Sequence, residues 1–239
     1  AARDEDERSR IAKVISRTGR EGALALADAL GESRDRSERR AFSDAMVTLG
    51  PLALEMAQRM MTDPRWFVVR NGVAVLGELG GEDAVSHLTA TLANGDSRVR
   101  KETILSLAKV GGGDAEMLLL GMLDDGEGEV RAAACRALGV MRCHRAYRPL
   151  LQLLKDRDPE VQVECLQALG QIGDPGAVRF IEKKATGGLL SRSPREVRIA
   201  AFRALASIGT ARALKTLEKG IKDRDSDVQT VAKALARES

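Results

Sequence analysis

The sequence predicts an all-α fold, an α-solenoid of about seven stacked two-helix units closed by a terminal helix, and three observations carry that prediction. A short phrase recurs, an acidic or Pro start leading to Val and then Arg or Gln: Asp96 to Arg100, Glu127 to Arg131, Asp158 to Gln162, Pro194 to Arg198 and Asp225 to Gln229. Its valines, Val99, Val130, Val161, Val197 and Val228, are 31, 31, 36 and 31 residues apart, and a second anchor, Ala84, Ala115, Ala146, Ala177 and Ala213, is spaced by 31, 31, 31 and 36. Two anchors sharing one period and one five-residue insertion define a repeat. Thirdly, apolar residues within each repeat recur at helical spacing, and no segment alternates as a strand would.

The units begin near residues 5, 35, 64, 96, 127, 159 and 194, with the last helix near 225. Upstream the pattern is fainter: Arg10 to Gly19 and Arg40 to Gly50 fall at matching intervals, and Ala23 precedes Ala84 by two periods. Asp63-Pro-Arg-Trp-Phe-Val-Val-Arg70 runs to Gly80 with a one-residue ambiguity of register. In the unit from Asp158, residues Val161, Cys165, Leu166, Leu169 and Ile172 form one apolar stripe at helical period. Asp158 is a capping acceptor, Pro159 fits the first helical turn, and Gly173 ends the helix before Asp174-Pro175 turns the chain. The second helix carries Ala177, Ile181 and Ala185, with counterparts Ala115, Leu119, Leu123; Ala146, Leu150, Leu154; and Ala213, Leu217, Ile221. A lone helical pair cannot bury such a stripe, so stability comes from stacking on the pairs before and after.

The Asp-Pro-x-Val-Arg/Gln phrase, its Ala-Leu-x-x-Ile-Gly ending and the period of 31 resemble the short HEAT-like repeats of bacterial proteins, the kind found in phycobilisome lyases. The resemblance is strongest over residues 63–236 and weaker over 5–62. It implies a solenoid whose second helices line a concave surface that binds other macromolecules. Residues 1–239 are expected to form a single solenoid, with weaker repeats over 1–62 and clear repeats over 63–239. Because the chain opens on Ala and a polar stretch without a signal-peptide core, it is expected to be a fragment of a larger protein.

Composition limits the function classes. Of 239 residues, 44% are apolar and 31% charged, with a formal net charge of +3, which is too apolar for wholesale disorder. No run of about 18 apolar residues is present, so no membrane span is expected. Three Cys are an odd number without framework spacing, which argues against a disulfide-stapled secreted domain. A cytoplasmic, bacterial protein is the expectation.

Catalytic signals are sparse. His87 and His144 are not followed by Glu, which disfavours a metal-dependent hydroxylase built on paired His-Glu motifs. Cys135, Cys143 and Cys165 lack Cys-x-x-Cys spacing and read as buried free thiols. Gly111-Gly112-Gly113 has no preceding strand and no Gly-Lys-Ser/Thr ending, so it reads as an inter-helix turn. No catalytic residue, metal ion or cofactor is expected. Trp66-Phe67 reads as a plug between repeats. The recurring acid and Arg/Gln four residues apart, as in Asp96 and Arg100, read as a structural pair within the helix.

Charge is unevenly placed. Residues 1–80 balance, residues 81–129 hold 4 basic and 10 acidic side chains, and residues 130–222 hold 18 basic and 8 acidic. Aligned on the anchor Ala, Arg148, Arg179 and Lys215 share one position and Lys183 and Lys219 another, with Lys155 and Lys222 a turn further. These seven residues predict a basic strip on three second helices. The matching positions of the preceding units, Ser86, Ala90, Met117 and Gly121, are small or apolar. The insertion from Gly187 to Pro194 offers Leu189, Leu190 and Arg192 as a contact loop.

The expected function is therefore a non-catalytic protein-interaction scaffold, its partner a protein or peptide of acidic character. Nucleic acid is the less favoured alternative, because Tyr147 alone offers an aromatic ring beside the strip. A bilin lyase-type activity is a weaker alternative that rests on the family resemblance.

Overall fold

The computed structural model describes residues 18–33, 35–187 and 193–238, and every regular element among them is helical. The helix expected near residue 5 and the contact-loop residues Leu189, Leu190 and Arg192 lie outside the described residues. In chain order the helices are α1 (Gly19–Glu32), α2 (Arg36–Val47), α3 (Pro51–Met60), α4 (Trp66–Leu79), α5 (Gly81–Thr91), α6 (Ser97–Val110) and α7 (Gly112–Gly121). They continue as α8 (Gly128–Val140), α9 (Tyr147–Leu153), α10 (Pro159–Ile172), α11 (Val178–Thr186), α12 (Arg195–Ile208), α13 (Ala211–Gly220) and α14 (Ser226–Glu238). The even-numbered helices from α6 onward carry the Val-Arg/Gln phrase, and the odd-numbered ones from α5 onward carry or follow the Ala anchor.

The chain divides into two compact units, residues 1–115 and 116–239. In the first, α4 packs between α2 and α6, while α1 and α3 pack on each other and on α4. The second continues this scheme with a row of α8, α10, α12 and α14, in which each helix packs on the next. There α11 lies on α12 and α13, and α13 lies on α12 and α14. Both anchors are interior: Val99, Val130, Val161, Val197 and Val228 are wholly buried, as are Ala115, Ala146, Ala177 and Ala213. Burying one such Val side chain stabilises by about 1.5–3 kcal/mol.

Helix ends follow their capping residues. The Asp35 carboxylate accepts from the Ser37 and Glu38 amides, Asp96 from Arg98 and Asp158 from Glu160, so each supplies the acceptor that an uncapped helix start lacks. At the other end, α10 and α12 stop at Gly173 and Gly209, whose φ of +76° and +67° an L side chain resists. The equivalent residue after α8 is Arg142, at φ +49°. Two second helices start later than their apolar stripe suggests. Short 3-10 turns, His144–Ala146 and Pro175–Ala177, precede α9 and α11, so these Ala anchors close a turn instead of opening a helix.

Consecutive first helices meet at small residues. A Cβ on Gly139 would lie 2.7 Å from the Cα of Ala168, and one on Gly170 would lie 2.9 Å from the Cα of Ala204. The Ser207 hydroxyl donates to the Gly170 carbonyl at 3.0 Å across the same contact.

The recurring Arg/Gln reaches back past the acid four residues earlier to the turn before its helix. Asp96 is taken by its capping bond and by the Arg98 guanidinium at 2.7–3.0 Å, whereas Arg100 reaches back to the Asn94 carbonyl at 2.8 Å. Arg131 and Gln162 reach back likewise to the Asp125 and Asp156 carbonyls, each at 2.7 Å. A capping carboxylate must face the helix start, which turns it away from a side chain one helical turn further on. The residue is structural as expected, but it holds the inter-repeat turn.

Candidate partner-binding surface

The predicted strip lies in the second unit, on α9, α11, α13 and the turns that end them. Each helix is pinned by buried side chains: Leu150 and Leu154 at α9, Val178, Ile181 and Ala185 on α11, and Ala213 and Leu217 on α13. At helical period these residues leave the opposite positions in water. Arg148, Lys155, Arg179, Lys183, Lys215, Lys219 and Lys222 are all exposed. Seven cations in three consecutive second-helix registers thus face solvent, with their apolar stems on the packed helices.

The residues are not equivalent. Arg179 stands over the Phe180 ring, its guanidinium carbon 4.6 Å from the centroid, which occupies one face of that ring. Lys219 donates to Glu182 Oε1 at 3.0 Å, and Arg212 donates to Glu182 Oε2 from Nε and Nη2 at 3.0 and 2.8 Å. The Thr216 hydroxyl completes the cradle at 3.2 Å from Oε1. Burial pushes the Glu182 carboxyl up, but the bonds from Lys219 and Arg212 outweigh it and hold the carboxyl below its ordinary range. One acid of α11 therefore partly neutralises the strip while tying α11 to α13.

Sequence reasoning missed Glu182 and Arg212. Arg212 had only a weak signal, since the residue before the anchor Ala is Asp83, Asp114, Arg145, Gly176 and Arg212 in successive units. Glu182 had none, because its partners lie 30 and 37 residues along the chain. Lys184, one residue beyond Lys183, turns the other way and donates to Gln162 Oε1 at 2.8 Å. Burial holds its ammonium below the ordinary lysine range.

The other candidate residues sit as follows. In the first unit, His87 is half-buried with a ring nitrogen 2.7 Å from Gln58 Nε2, and Ser86 and Ala90 are exposed. In the second, Met117 is 62% exposed. Cys135, Cys143 and Cys165 are buried free thiols, and the Cys165 thiol donates to the Leu150 carbonyl at 2.7 Å. Burial, then the neighbouring Cys135, pushes the Cys165 thiol well above its ordinary pKa, which keeps it protonated. Among the described residues, no three His, Cys, Asp or Glu side chains gather as metal ligands. No helix among them is long and apolar enough to cross a membrane.

The family described as HEAT repeats matches residues 23–108 and 115–187 of the chain. No curated protein matches the sequence. Among solved structures, the YibA protein of E. coli is 16% identical with a TM-score of 0.59, over 95% of this chain and 86% of its own. A homology model of the AP-3 complex in an intermediate open conformation is 13% identical with a TM-score of 0.67, over 98% of this chain and 47% of that one. The S. pombe condensin Cnd3–Cnd2 subcomplex is 17% identical with a TM-score of 0.63, over 92% and 33%. At these identities the likeness is one of fold.

Proposed function

The chain belongs to the HEAT-repeat family, and on that premise we propose that it is a non-catalytic protein-interaction scaffold that docks an acidic segment of another protein on the basic second-helix surface of its carboxy-terminal unit. The supporting observation is the run of Arg148, Lys155, Arg179, Lys183, Lys215, Lys219 and Lys222, all exposed and in repeating registers. Two of the solved structures of similar fold belong to multi-protein complexes, AP-3 and a condensin subcomplex. One such cation contributes little, but several in register raise the local concentration of an anionic partner and its rate of encounter. Residues 1–239 act here as one repeat array, since the 31-residue period runs unbroken from Ala84 through Ala115 to Ala146. A cytoplasmic setting in a bacterium belongs to the same reading.

The anion is a protein segment and not a nucleic acid. Of the rings near the strip, Phe180 is covered by Arg179 and Tyr147 is half-buried, so bases find little to stack on. Affinity capture with and without nuclease, followed by titration against a capped acidic peptide and a generic duplex, tests the proposal. The expected result is peptide binding that weakens with salt and disappears when Arg148, Arg179 and Lys215 are changed to Glu. Capture abolished by nuclease, together with duplex binding that falls steeply with salt, would sink it in favour of nucleic acid.

A further inference from the structure

The first unit departs from the repeat at one place. By helix register, the helix-start position held by the acids Asp35, Asp96, Glu127 and Asp158 is the cation Arg65 at the start of α4. The following Val-Arg pair becomes Val68-Val69, both buried. The sole Trp of the chain, Trp66, and Phe67 open the helix. Both are half-buried and line a cavity of about 620 Å³ together with Glu32, Arg39, Arg65 and Arg70. A volume of this size suits a bound group of side-chain to small-molecule dimensions.

The two rings hold guanidinia. Trp66 and Phe67 meet edge to face at 5.8 Å, Arg98 lies 3.5 Å and Arg70 5.4 Å from the Trp66 centroid, and Arg65 lies 5.7 Å from that of Phe67. A guanidinium stacked on a ring keeps its in-plane donors for a carboxylate. Arg65 already forks onto Asp63 at 2.8–2.9 Å, and Arg98 onto Asp96 at 2.7–3.0 Å. Arg70 donates from Nη2 to Asn71 Oδ1 at 2.9 Å, and Asn71 is fixed by its own bond to the buried Leu30 carbonyl at 2.8 Å. Burial and the positive charge of Arg39 hold the Arg70 guanidinium below its ordinary pKa, with Glu102 opposing them and Arg98 adding to them. An anion beside Arg39 and Arg70 would relieve that repulsion.

A second cavity of about 520 Å³ shares Arg39, Arg70 and Asn71 with the first and continues past Asp44 to Glu78, Glu102 and Lys109. Two cavities with a common basic wall form a trough longer than a phosphate needs. Its acidic far end repels a continuous polyanion, whereas a peptide with spaced carboxylates can avoid that end. Rings that already carry guanidinia are poorly placed to stack a nucleobase. We infer that this trough on the first-helix side of the amino-terminal unit docks an extended peptide segment of a protein partner, with one of its carboxylates seated between Arg39 and Arg70. The site is separate from the second-helix surface of the other unit and stands without it.

Trp66 makes the test direct, because its emission reads this site alone. The full chain is titrated with a short capped peptide carrying two or three spaced glutamates, with the same peptide bearing glutamines, with inorganic phosphate and with ATP. Expected are a saturable emission change with the glutamate peptide, none with its glutamine counterpart, and binding weakened about tenfold or more in Arg70→Gln. Arg39→Gln should weaken it similarly, and it replaces Arg70→Gln if the circular dichroism melt shows the latter to be unfolded. The combined Arg148→Glu, Lys215→Glu variant should keep the full response. The inference is overturned by a silent Trp66 or by tighter saturation with phosphate or ATP. It is equally overturned by wild-type affinity in a folded Arg70→Gln protein, or by loss of the signal in the second-helix variant.

Discussion

Arg131 of α8 forks onto Asp156, Nε and Nη2 donating to the two carboxylate oxygens at 2.8 and 2.9 Å, with both side chains less than a tenth exposed. The same guanidinium holds the Asp125 and Gly126 carbonyls at 2.7 and 3.2 Å. Removing one partner leaves a buried charge, so Arg131→Met is expected to destabilise the second unit by about 3–5 kcal/mol. Arg131→Met combined with Asp156→Leu should recover much of that loss. Urea unfolding of the two variants measures both effects.

Acid should weaken the same contact. Burial pushes the Asp156 carboxyl up, but the Arg131 bonds and the Asp158 amide outweigh it and leave the group below its ordinary 3.8. Asp63 and Asp96 are held at about 2 by Arg65 and Arg98. A carboxyl depressed in the folded state stabilises fully above its unfolded pKa and loses that contribution as pH falls through the folded value. Stability is therefore expected to be flat near neutrality and to decline below about pH 4, by thermal melts across a pH series. Carboxyl NMR should place the Asp63 and Asp96 titrations near pH 2, and Arg65→Gln should move Asp63 upward.

Arg142 stands at φ +49° where the equivalent helices end in Gly173 and Gly209. A left-handed conformation costs a side chain about 1–2 kcal/mol, part of which glycine returns through its freer unfolded chain. Arg142→Gly is expected to stabilise the protein by up to about 1 kcal/mol, seen as a higher melting midpoint.

Gly170 meets the backbone of Ala204, which cannot swing aside as a flexible side chain could. Gly170→Ala should cost about 1–3 kcal/mol through overpacking between α10 and α12. Gly121, with nothing within 4 Å of its added Cβ, is the matched control and should tolerate Ala.

Glu182 competes with any acidic ligand for Lys219 and Arg212. Glu182→Gln should therefore strengthen binding of an acidic peptide to the second-helix surface by roughly two- to fivefold at low salt, measured by calorimetry. Unchanged affinity would separate these residues from the docking surface.

The repeat was legible because its determinants are local and periodic. Val99 and its counterparts are buried, Asp96 and Asp158 cap, and Gly173 ends α10 as their spacing implied. The partner of Arg131 was not legible, because Asp156 lies 25 residues away and the nearby Glu127 offered a simpler pairing. The exposure of the basic residues followed from helical period, but the hold of Glu182 on two of the cations depends on packing between α11 and α13. The cavity beside Trp66 and Phe67 was not legible for the same reason. Large rings usually fill gaps, and only the meeting of α2 with α4 brings Arg39 and Arg70 around them.

The bond from Arg131 to Asp156 also says where one module ends and the next begins. Arg131 clasps the turn before its own helix and the turn before the next first helix, α10, and Gln162 takes up the Asp156 carbonyl in the following period. A segment excised or transplanted at the helix boundaries would carry half a clasp at each end, whereas one cut from Asp125 to Lys155 keeps the donor and meets its acceptor in the neighbour. Gene duplication or protein engineering that lengthens this array should succeed on the second frame and fail on the first.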